Sequence, residues 1–247
     1  MSIEFNILPA VDNTWTIEKL SQECVPISWK PVFEAAQPEL KHISKKLDKD
    51  KCYGDYLPKK EHLFNAFFHC PMDTIKVIIC NREPYNTLIN HNGCTVPKDI
   101  GFAYSVRRTD VLSKPLVNIY KELKNEYHDF ITPHHGDLTK WCQQGVLLLN
   151  ISLTTSTNQT HTYSEMWHGF LSKMFDQLVK VNPNTIVVMW GKSSCIASML
   201  PNSFIQFTAG DPLSTREIPG SFIGCNHFKL INEQLVKLGK KQIDWQI

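Results

Sequence analysis

The chain has 247 residues, of which 42% are hydrophobic and 20% are charged. This length predicts one globular domain with a well-buried core and does not require a second one. The 26 basic residues against 24 acidic ones give a net charge of only +2, which is weak support for a nucleic-acid partner. Composition alone therefore does not indicate DNA binding.

The cysteines and the start of the chain bear on where the protein resides. Eight cysteines occur without a C-x-x-C pair, which argues against a zinc knuckle or a compact disulfide framework. Residues 1–15 lack a basic region followed by an apolar run, and no stretch approaches the roughly 18 apolar residues of a membrane span. We therefore expect an intracellular protein with reduced thiols, no membrane contact, no metal ion and no other cofactor.

The first part of the chain divides into an arm and a helical region. Residues 1–27 predict an irregular N-terminal arm, which leaves residues 28–247 as a single domain. From Trp29 to Leu47 apolar residues recur at helical spacing, and Glu61–Phe68 predicts a further helix. No internal repeat, low-complexity tract or Gly/Ser linker divides the domain.

After these helices, short apolar runs alternate with longer amphipathic segments. The runs predict four buried strands, at Lys76–Cys80, Gly145–Asn150, Thr185–Trp190 and Ser203–Thr208. Helices are predicted near Leu116–Tyr127, Leu138–Gln143, Glu165–Val181, Ser194–Leu200 and His227–Leu238. The alternation is typical of an α/β fold with a central four-stranded parallel sheet flanked by helices and joined by right-handed crossovers.

Polar segments rich in turn formers follow the predicted strands. In open parallel sheets the ligand crevice lies beyond the carboxyl ends of the strands, so these segments are where a site is expected. They are Asn81–Asn86, Asn150 with the loop after it, Gly191–Ser194 and Ala209–Ser214.

Several stretches resemble family I uracil-DNA glycosylases, in the order in which that family has them. The resemblance spans about Trp29 to Trp245 and implies the glycosylase fold and a DNA substrate. Its stretches are Leu63–Ala66, Gly101–Arg108, Asn118–Leu123, His135–Leu138, Gly145–Asn150, Phe222–Phe228 and Gly239–Trp245.

The resemblance implies a base pocket, but two catalytic groups of the family are replaced in this chain. The family's water-activating loop, Gly-Gln-Asp-Pro-Tyr-His, matches Asn81–Asn86, so Glu83 replaces the aspartate and adds a methylene. The family's histidine, which donates to the uracil oxygen, corresponds to Ala209, which has no donor. Both changes imply weakened base excision, although Glu83 could instead be an ordinary solvated acid.

Four residues are implied to recognise the base. Arg82 stands at the glutamine of the water-activating loop, and Tyr85 matches the tyrosine that excludes a thymine methyl group. Tyr104 takes the place of the aromatic that stacks on the flipped base, and Asn150 matches the asparagine that reads the uracil edge. The alternative is that these buried residues only hold the core.

The DNA-contacting loops are also altered. Pro115 and Asp211 stand where phosphate-contacting serines are expected, and Lys192 stands at a serine of the family's Gly-Ser loop next to Ser193. Leu213, followed by Ser214, matches the leucine that the family inserts into the base stack, although an exposed leucine is unremarkable. The segment Thr87–Ile100 is longer than the family's loop.

Three hypotheses follow from these substitutions. The first is a uracil-DNA glycosylase homologue with impaired or lost base excision, kept as a DNA- or protein-binding component of repair or replication. The second is an active glycosylase of reduced rate or shifted specificity that uses Glu83 as its base and prefers single-stranded DNA. The third is a structural subunit of a larger assembly. The resemblance further implies a nuclear protein that is monomeric outside any complex.

Overall fold

The structure, a computed structural model, describes residue 11 and residues 14–49, 56–157, 163–214 and 218–247. Its strands are β1 Tyr56–Leu57, β2 Val77–Asn81, β3 Leu88–His91, β4 Cys94–Pro97, β5 Val146–Asn150, β6 Thr155–Ser156, β7 Ile186–Trp190 and β8 Ile205–Ala209. Its α-helices are α1 Ile17–Glu23, α2 Lys30–Ala35, α3 Gln37–Ser44, α4 Asn65–His69, α5 Lys114–Glu126, α6 Thr139–Cys142, α7 His168–Val181 and α8 His227–Lys237.

The core of the molecule is a four-stranded sheet in the order β5-β2-β7-β8, with every pair parallel. Strands β2, β5 and β7 are almost entirely buried, as their continuous apolar runs require when helices cover both faces. Strand β8 lies at an edge and alternates half-buried with exposed residues. The predicted α/β fold with a four-stranded parallel sheet is confirmed.

The register aligns the carboxyl ends of the strands. Asn81 at the end of β2 is paired with Asn150 at the end of β5, and Trp190 at the end of β7 is paired with Ala209 at the end of β8. The loops that follow these residues therefore meet at one edge of the sheet.

The helices pack around the sheet through aromatic contacts. Phe33 of α2 meets Phe170 of α7 edge to face, with the ring centroids 5.4 Å apart. Phe228 of α8 packs against Trp190 of β7 and Trp245 of the C-terminal segment. No helix in the described ranges is long and apolar enough to cross a membrane.

The prediction of an irregular arm over residues 1–27 is wrong for its second half. Thr16 caps α1 by accepting a hydrogen bond from the backbone N–H of Lys19, and Ile17 and Leu20 are buried against the core. The segment is too short for periodicity to reveal a helix, and packing rather than local propensity stabilises it. Residues 1–10 and 12–13 lie outside the described residues.

Other predicted helices also differ, and the predicted helix Glu61–Phe68 is divided into a 3₁₀ helix, Lys60–His62, and α4. The helical pattern from Trp29 to Leu47 is divided at Ala36, because Pro38 at the second position of α3 cannot donate a backbone hydrogen bond. The segment predicted as a helix at Ser194–Leu200 belongs to a 3₁₀ helix, Gly191–Met199. The long segment after residue 86 contains the antiparallel hairpin β3–β4.

Candidate active site

A cavity of about 300 Å³ opens at the carboxyl edge of the sheet. It is bounded by loops that follow β2, β7 and β8 and by the start of α5. Its lining residues are Asn81, Arg82, Glu83, Pro84, Tyr85, Asn86, Tyr104, Pro115, Trp190, Lys192, Asp211 and Leu213. Three of the four strand-end segments named from the sequence thus contribute to one cavity, whereas Asn150 and the loop after it do not line it.

The loop after β2 is fixed by an amide network. The Nδ2 group of Asn81 donates to the backbone oxygen of Glu83 at 2.7 Å and to Oδ1 of Asn150 at 2.9 Å. The hydroxyl of Thr155 donates to Oε2 of Glu83 at 3.4 Å, which restrains the carboxylate in a half-buried position. A partly desolvated carboxylate at the cavity wall can orient a water molecule.

Asn150 lies behind the wall of this cavity. Its side chain is 3% exposed, and it is absent from the lining while its hydrogen-bonding partner Asn81 is present. The pairing of the two amides follows from the register of β2 and β5, which places the two residues side by side. The assignment of base reading to Asn150 stays a prediction.

Tyr85 is held by three groups. Its hydroxyl donates to the backbone oxygen of Tyr104 at 3.0 Å, so the 2.7 Å contact with the Ser113 hydroxyl must be donated by the serine. Its backbone N–H donates to Oδ2 of Asp99 at 2.9 Å. Burial raises the pKa of the Tyr85 hydroxyl above its usual value, so the phenol is neutral.

Tyr104 has a left-handed backbone, with φ of 63°. This conformation is costly for a bulky residue and is typical of functional sites. The Tyr104 hydroxyl donates to the backbone oxygen of Cys80 at 3.3 Å, and its ring packs against Trp190 with centroids 5.6 Å apart. Tyr104 and Trp190 therefore give the cavity the aromatic surface on which a planar base can stack.

No imidazole lines the cavity within the described residues. Ala209 ends β8 as a half-buried residue beside Trp190 and offers only a methyl group. Behind Trp190, which lines the cavity, the imidazole of His227 accepts a hydrogen bond at Nδ1 from Trp190 Nε1 at 3.0 Å. Burial lowers the pKa of His227 to about 4, so this histidine is neutral and supports Trp190.

Asp211 stabilises the turn in the loop after β8. Its Oδ1 accepts from the backbone N–H of Leu213 at 2.8 Å, and Asn118 of α5 donates to the backbone oxygen of Pro212 at 2.6 Å. These bonds leave the Leu213 side chain 58% exposed at the cavity mouth. The position suits an apolar wedge, and the wedge function itself stays a prediction.

The remaining predicted DNA-contact residues occupy different environments. Lys192 is exposed on the cavity rim, and Pro115 lines the cavity at the start of α5. Ser193 is fully buried, and its hydroxyl donates to the backbone oxygen of Trp190 at 2.9 Å, so the hydroxyl is not presented to a phosphate. The backbone N–H of Ser214 donates to the backbone oxygen of Asp211.

One cluster away from the cavity has the composition of a metal site. Glu122, Glu126 and Cys225 place ligand atoms within 4.8 Å of one another. The carboxylates accept backbone N–H groups of residues 224, 226, 228 and 229, and therefore fasten α5 to the start of α8. Burial raises the pKa of Glu126 to about 7. The donors around the carboxylates explain the cluster without a metal ion.

Comparison with known proteins identifies close relatives of this fold. The uracil-DNA glycosylase of Proteus mirabilis is 31% identical over 230 residues, which cover 90% of this chain and 97% of that protein. The uracil-DNA glycosylase of Francisella tularensis is 31% identical over 229 residues, which cover 90% and 99%. No family model matches the chain.

Solved structures agree with these relatives. The crystal structure of mimivirus uracil-DNA glycosylase matches with a TM-score of 0.78 at 25% identity, covering 93% of this chain and 89% of that one. A variant of the mimivirus enzyme in complex with UGI matches with a TM-score of 0.78 at 25% identity, covering 99% and 100%.

The fold and cavity define an α/β protein with a partly aromatic cavity at the carboxyl edge of a parallel sheet. The likeness over nearly the whole length of its relatives makes the assignment specific. The chain belongs to the uracil-DNA glycosylase family.

Sequence reasoning did not single out Asn81 or Trp190 as site residues, although both line the cavity. Each is the last residue of a buried strand. The strand-end rule pointed to such positions, and Asn81 begins the segment matched to the family's water-activating loop, but neither residue was assigned a role there.

Proposed function

We propose that this protein is a uracil-recognising, DNA-binding member of its family in which base excision is strongly impaired. The observation that carries the proposal is the composition of the cavity wall. It contains the aromatic residues Tyr85, Tyr104 and Trp190 but no imidazole within the described residues, and Ala209 stands at the family's histidine position.

The energetic argument concerns the charge that develops on the uracil oxygen as the glycosidic bond breaks. Removing one hydrogen-bond donor aimed at such an oxygen costs typically about 3–4 kcal/mol, or on the order of 100- to 1000-fold in rate. The longer Glu83 side chain shifts its carboxylate from the position of the family's aspartate, which lowers the rate further. Losses at neighbouring groups rarely add cleanly, so we expect the combined effect to be smaller than the product.

A protein of this kind would serve as a binding component linked to DNA repair or replication. Lys192 on the rim and Leu213 at the mouth support contact with DNA, while Asp211 weakens it by repelling phosphates. We extend the proposal to action inside the cell, in the nucleus, which imaging of the tagged protein would test.

A second candidate is an active glycosylase that uses Glu83 as its base. The observation in its favour is the bond from Thr155, which holds one carboxylate oxygen at 3.4 Å and leaves the carboxylate on the cavity wall. A held carboxylate can position water even without the histidine, at reduced rate.

Uracil release from a single-stranded oligonucleotide, followed by alkaline cleavage at abasic sites, separates these candidates. We expect little release by the unchanged protein, a gain on the order of 10- to 1000-fold in Ala209→His, and a further gain in the Glu83→Asp, Ala209→His double variant. Thr208→His is the matched control, because Thr208 is the exposed neighbour of Ala209 on the same strand.

Release at a rate comparable to that of the Proteus mirabilis relative, assayed in parallel, would overturn the proposed impairment. A slow release that disappears in Glu83→Gln would favour the second candidate. Equal gains in Ala209→His and Thr208→His would show that the added imidazole does not act at the cavity.

A further inference from the structure

Two asparagine side chains meet at the carboxyl ends of neighbouring strands. Asn81 ends β2, Asn150 ends β5, and the strand register pairs them. Nδ2 of Asn81 lies 2.9 Å from Oδ1 of Asn150 and 2.7 Å from the backbone oxygen of Glu83. The two amides therefore form one hydrogen-bonded unit.

The bonding pattern fixes the orientation of both amides. A backbone oxygen can only accept, so the end of Asn81 that faces Glu83 must be its NH₂ group. The two hydrogens of that group are then directed to Glu83 and to Asn150, which requires Asn150 to present Oδ1. Oδ1 of Asn81 is left without a hydrogen bond to any described residue.

The two amides differ in access to the cavity. Asn81 is half-buried and lines the cavity, whereas Asn150 is almost fully buried and lies outside the lining. A base held against Tyr104 and Trp190 would therefore reach the Asn81 amide before that of Asn150.

We propose that Asn81 is a specificity-determining residue, which reads the base edge by accepting the N3–H hydrogen of uracil at Oδ1. Asn150 is a positioning residue that fixes the Asn81 amide through their shared hydrogen bond. This inference rests on the proposed uracil recognition and names the group that performs it.

The chemistry distinguishes uracil from cytosine. Uracil carries a hydrogen on N3, whereas N3 of cytosine is an acceptor that would face the Asn81 oxygen without a hydrogen between them. Two acceptors brought together in a partly desolvated pocket are unfavourable, because each remains unpaired. A site built around an acceptor therefore prefers the base with the donor.

Binding measurements with cleavage-resistant probes test the proposal independently of excision. The probes are single-stranded oligonucleotides with one 2′-fluoro-2′-deoxyuridine or one 2′-fluoro-2′-deoxycytidine, because the fluorine stabilises the glycosidic bond. Fluorescence anisotropy gives the affinity ratio of the two probes for the unchanged protein and for Asn81→Ala, Asn81→Ser, Asn150→Ala and Asn202→Ala. Asn202 is an exposed amide away from the cavity and serves as the control.

We expect the preference for the uracil probe to fall about tenfold in Asn81→Ala, mainly through weaker uracil binding. A smaller fall is expected in Asn150→Ala, since the Asn81 amide remains but is less well oriented, and none in Asn202→Ala. Thermal unfolding checks that each variant folds, and Asn81→Ser replaces Asn81→Ala if the latter does not.

An unchanged preference in folded Asn81→Ala, or stronger uracil binding, would overturn the inference and indicate that Asn81 obstructs the pocket. A separate comparison, with a probe that carries an abasic analogue, tests the proposed function itself. If the unchanged protein binds the uracil probe no better than a probe with an abasic analogue, uracil recognition fails altogether.

Discussion

The carboxylate of Asp99 binds the backbone N–H of Tyr85 at 2.9 Å and thereby ties the end of hairpin β3–β4 to the loop that lines the cavity. Its other oxygen accepts from the backbone N–H of Gly101 at 2.8 Å. Asp99 is 1% exposed, and burial raises its pKa to about 7, against the lowering effect of these two bonds and of Arg107. The placement of Tyr85 is therefore linked to a carboxyl group that titrates near neutral pH.

This link predicts a pH dependence of stability. The pKa of Asp99 is about 7 in the folded chain and 3.8 ordinarily, so the folded state binds the extra proton between these values. The associated stabilisation is fully present below about pH 4 and is lost as the pH rises through about 7. The substitution Asp99→Asn removes this ionisable group and therefore its contribution to the pH dependence.

Urea denaturation from pH 4 to 8 measures the effect. We expect the free-energy difference between the unchanged protein and Asp99→Asn to decline with rising pH, at up to about 1.4 kcal/mol per pH unit. Glu126 titrates in the same window, but it is present in both proteins and cancels. The control Asp73→Asn removes an exposed carboxylate and measures the effect of losing one negative charge. A flat difference for Asp99→Asn would contradict the raised pKa of this carboxyl group and the pH dependence argued from it.

Two glycines with the same backbone conformation provide a second test. Gly93 and Gly101 both have φ of 82°, but an added Cβ on Gly93 meets nothing within 4 Å, whereas one on Gly101 collides with the backbone oxygen of His62. We expect Gly93→Ala to lose about 1–2 kcal/mol through backbone strain alone. Gly101→Ala should lose clearly more, because backbone atoms must move.

Chemical denaturation measures both glycine variants, and the difference between them isolates the steric contribution from the shared backbone strain. Equal losses in the two variants would show that the segment around Gly101 relaxes freely. That outcome would also mean that the Asp99 bond to the Gly101 N–H does not hold this segment in place.

The exposed Leu213 gives a third prediction, which concerns base flipping. If this side chain fills the space left by a flipped nucleotide, Leu213→Ala should weaken binding to duplex DNA containing uracil several-fold. Binding to the same single strand should change little, because no stack has to be filled. Ile218→Ala is the control, since Ile218 is 60% exposed against 58% for Leu213.

Fluorescence anisotropy with duplex and single-stranded probes measures these affinities, and 2-aminopurine beside the uracil reports unstacking. Equal weakening on both probes would assign Leu213 to general strand contact. Equal weakening by Leu213→Ala and Ile218→Ala would assign the effect to loss of apolar surface.

The sequence predicted the sheet because burial on both faces imposes a recognisable pattern. Val77–Asn81 and Val146–Asn150 are continuous apolar runs, and each ends at a polar residue where the ligand crevice begins. The same rule predicts that Glu83, Lys192 and Asp211 lie at one crevice, and all three line the cavity.

The details that escaped prediction are contacts between side chains distant in sequence. Local sequence does not reveal that Asn81 donates a hydrogen bond to Asn150, because this contact depends on the register of two strands. Nor does it reveal that the Ser193 hydroxyl turns inward to the Trp190 oxygen. Helix α1 was not predicted, because its packing against the core outweighs the weak helix propensity of a short segment.

The strand order β5-β2-β7-β8 also governs how the chain must fold. Strand β2 is made early, yet both of its neighbours in the sheet, β5 and β7, come from much later parts of the chain. Until these strands have been synthesised, the backbone edges of β2 are unpaired and its apolar side chains are exposed to solvent. Such a state favours aggregation. Sheets assembled from such distant partners form slowly, so correct assembly depends on how this strand is protected until its partners arrive.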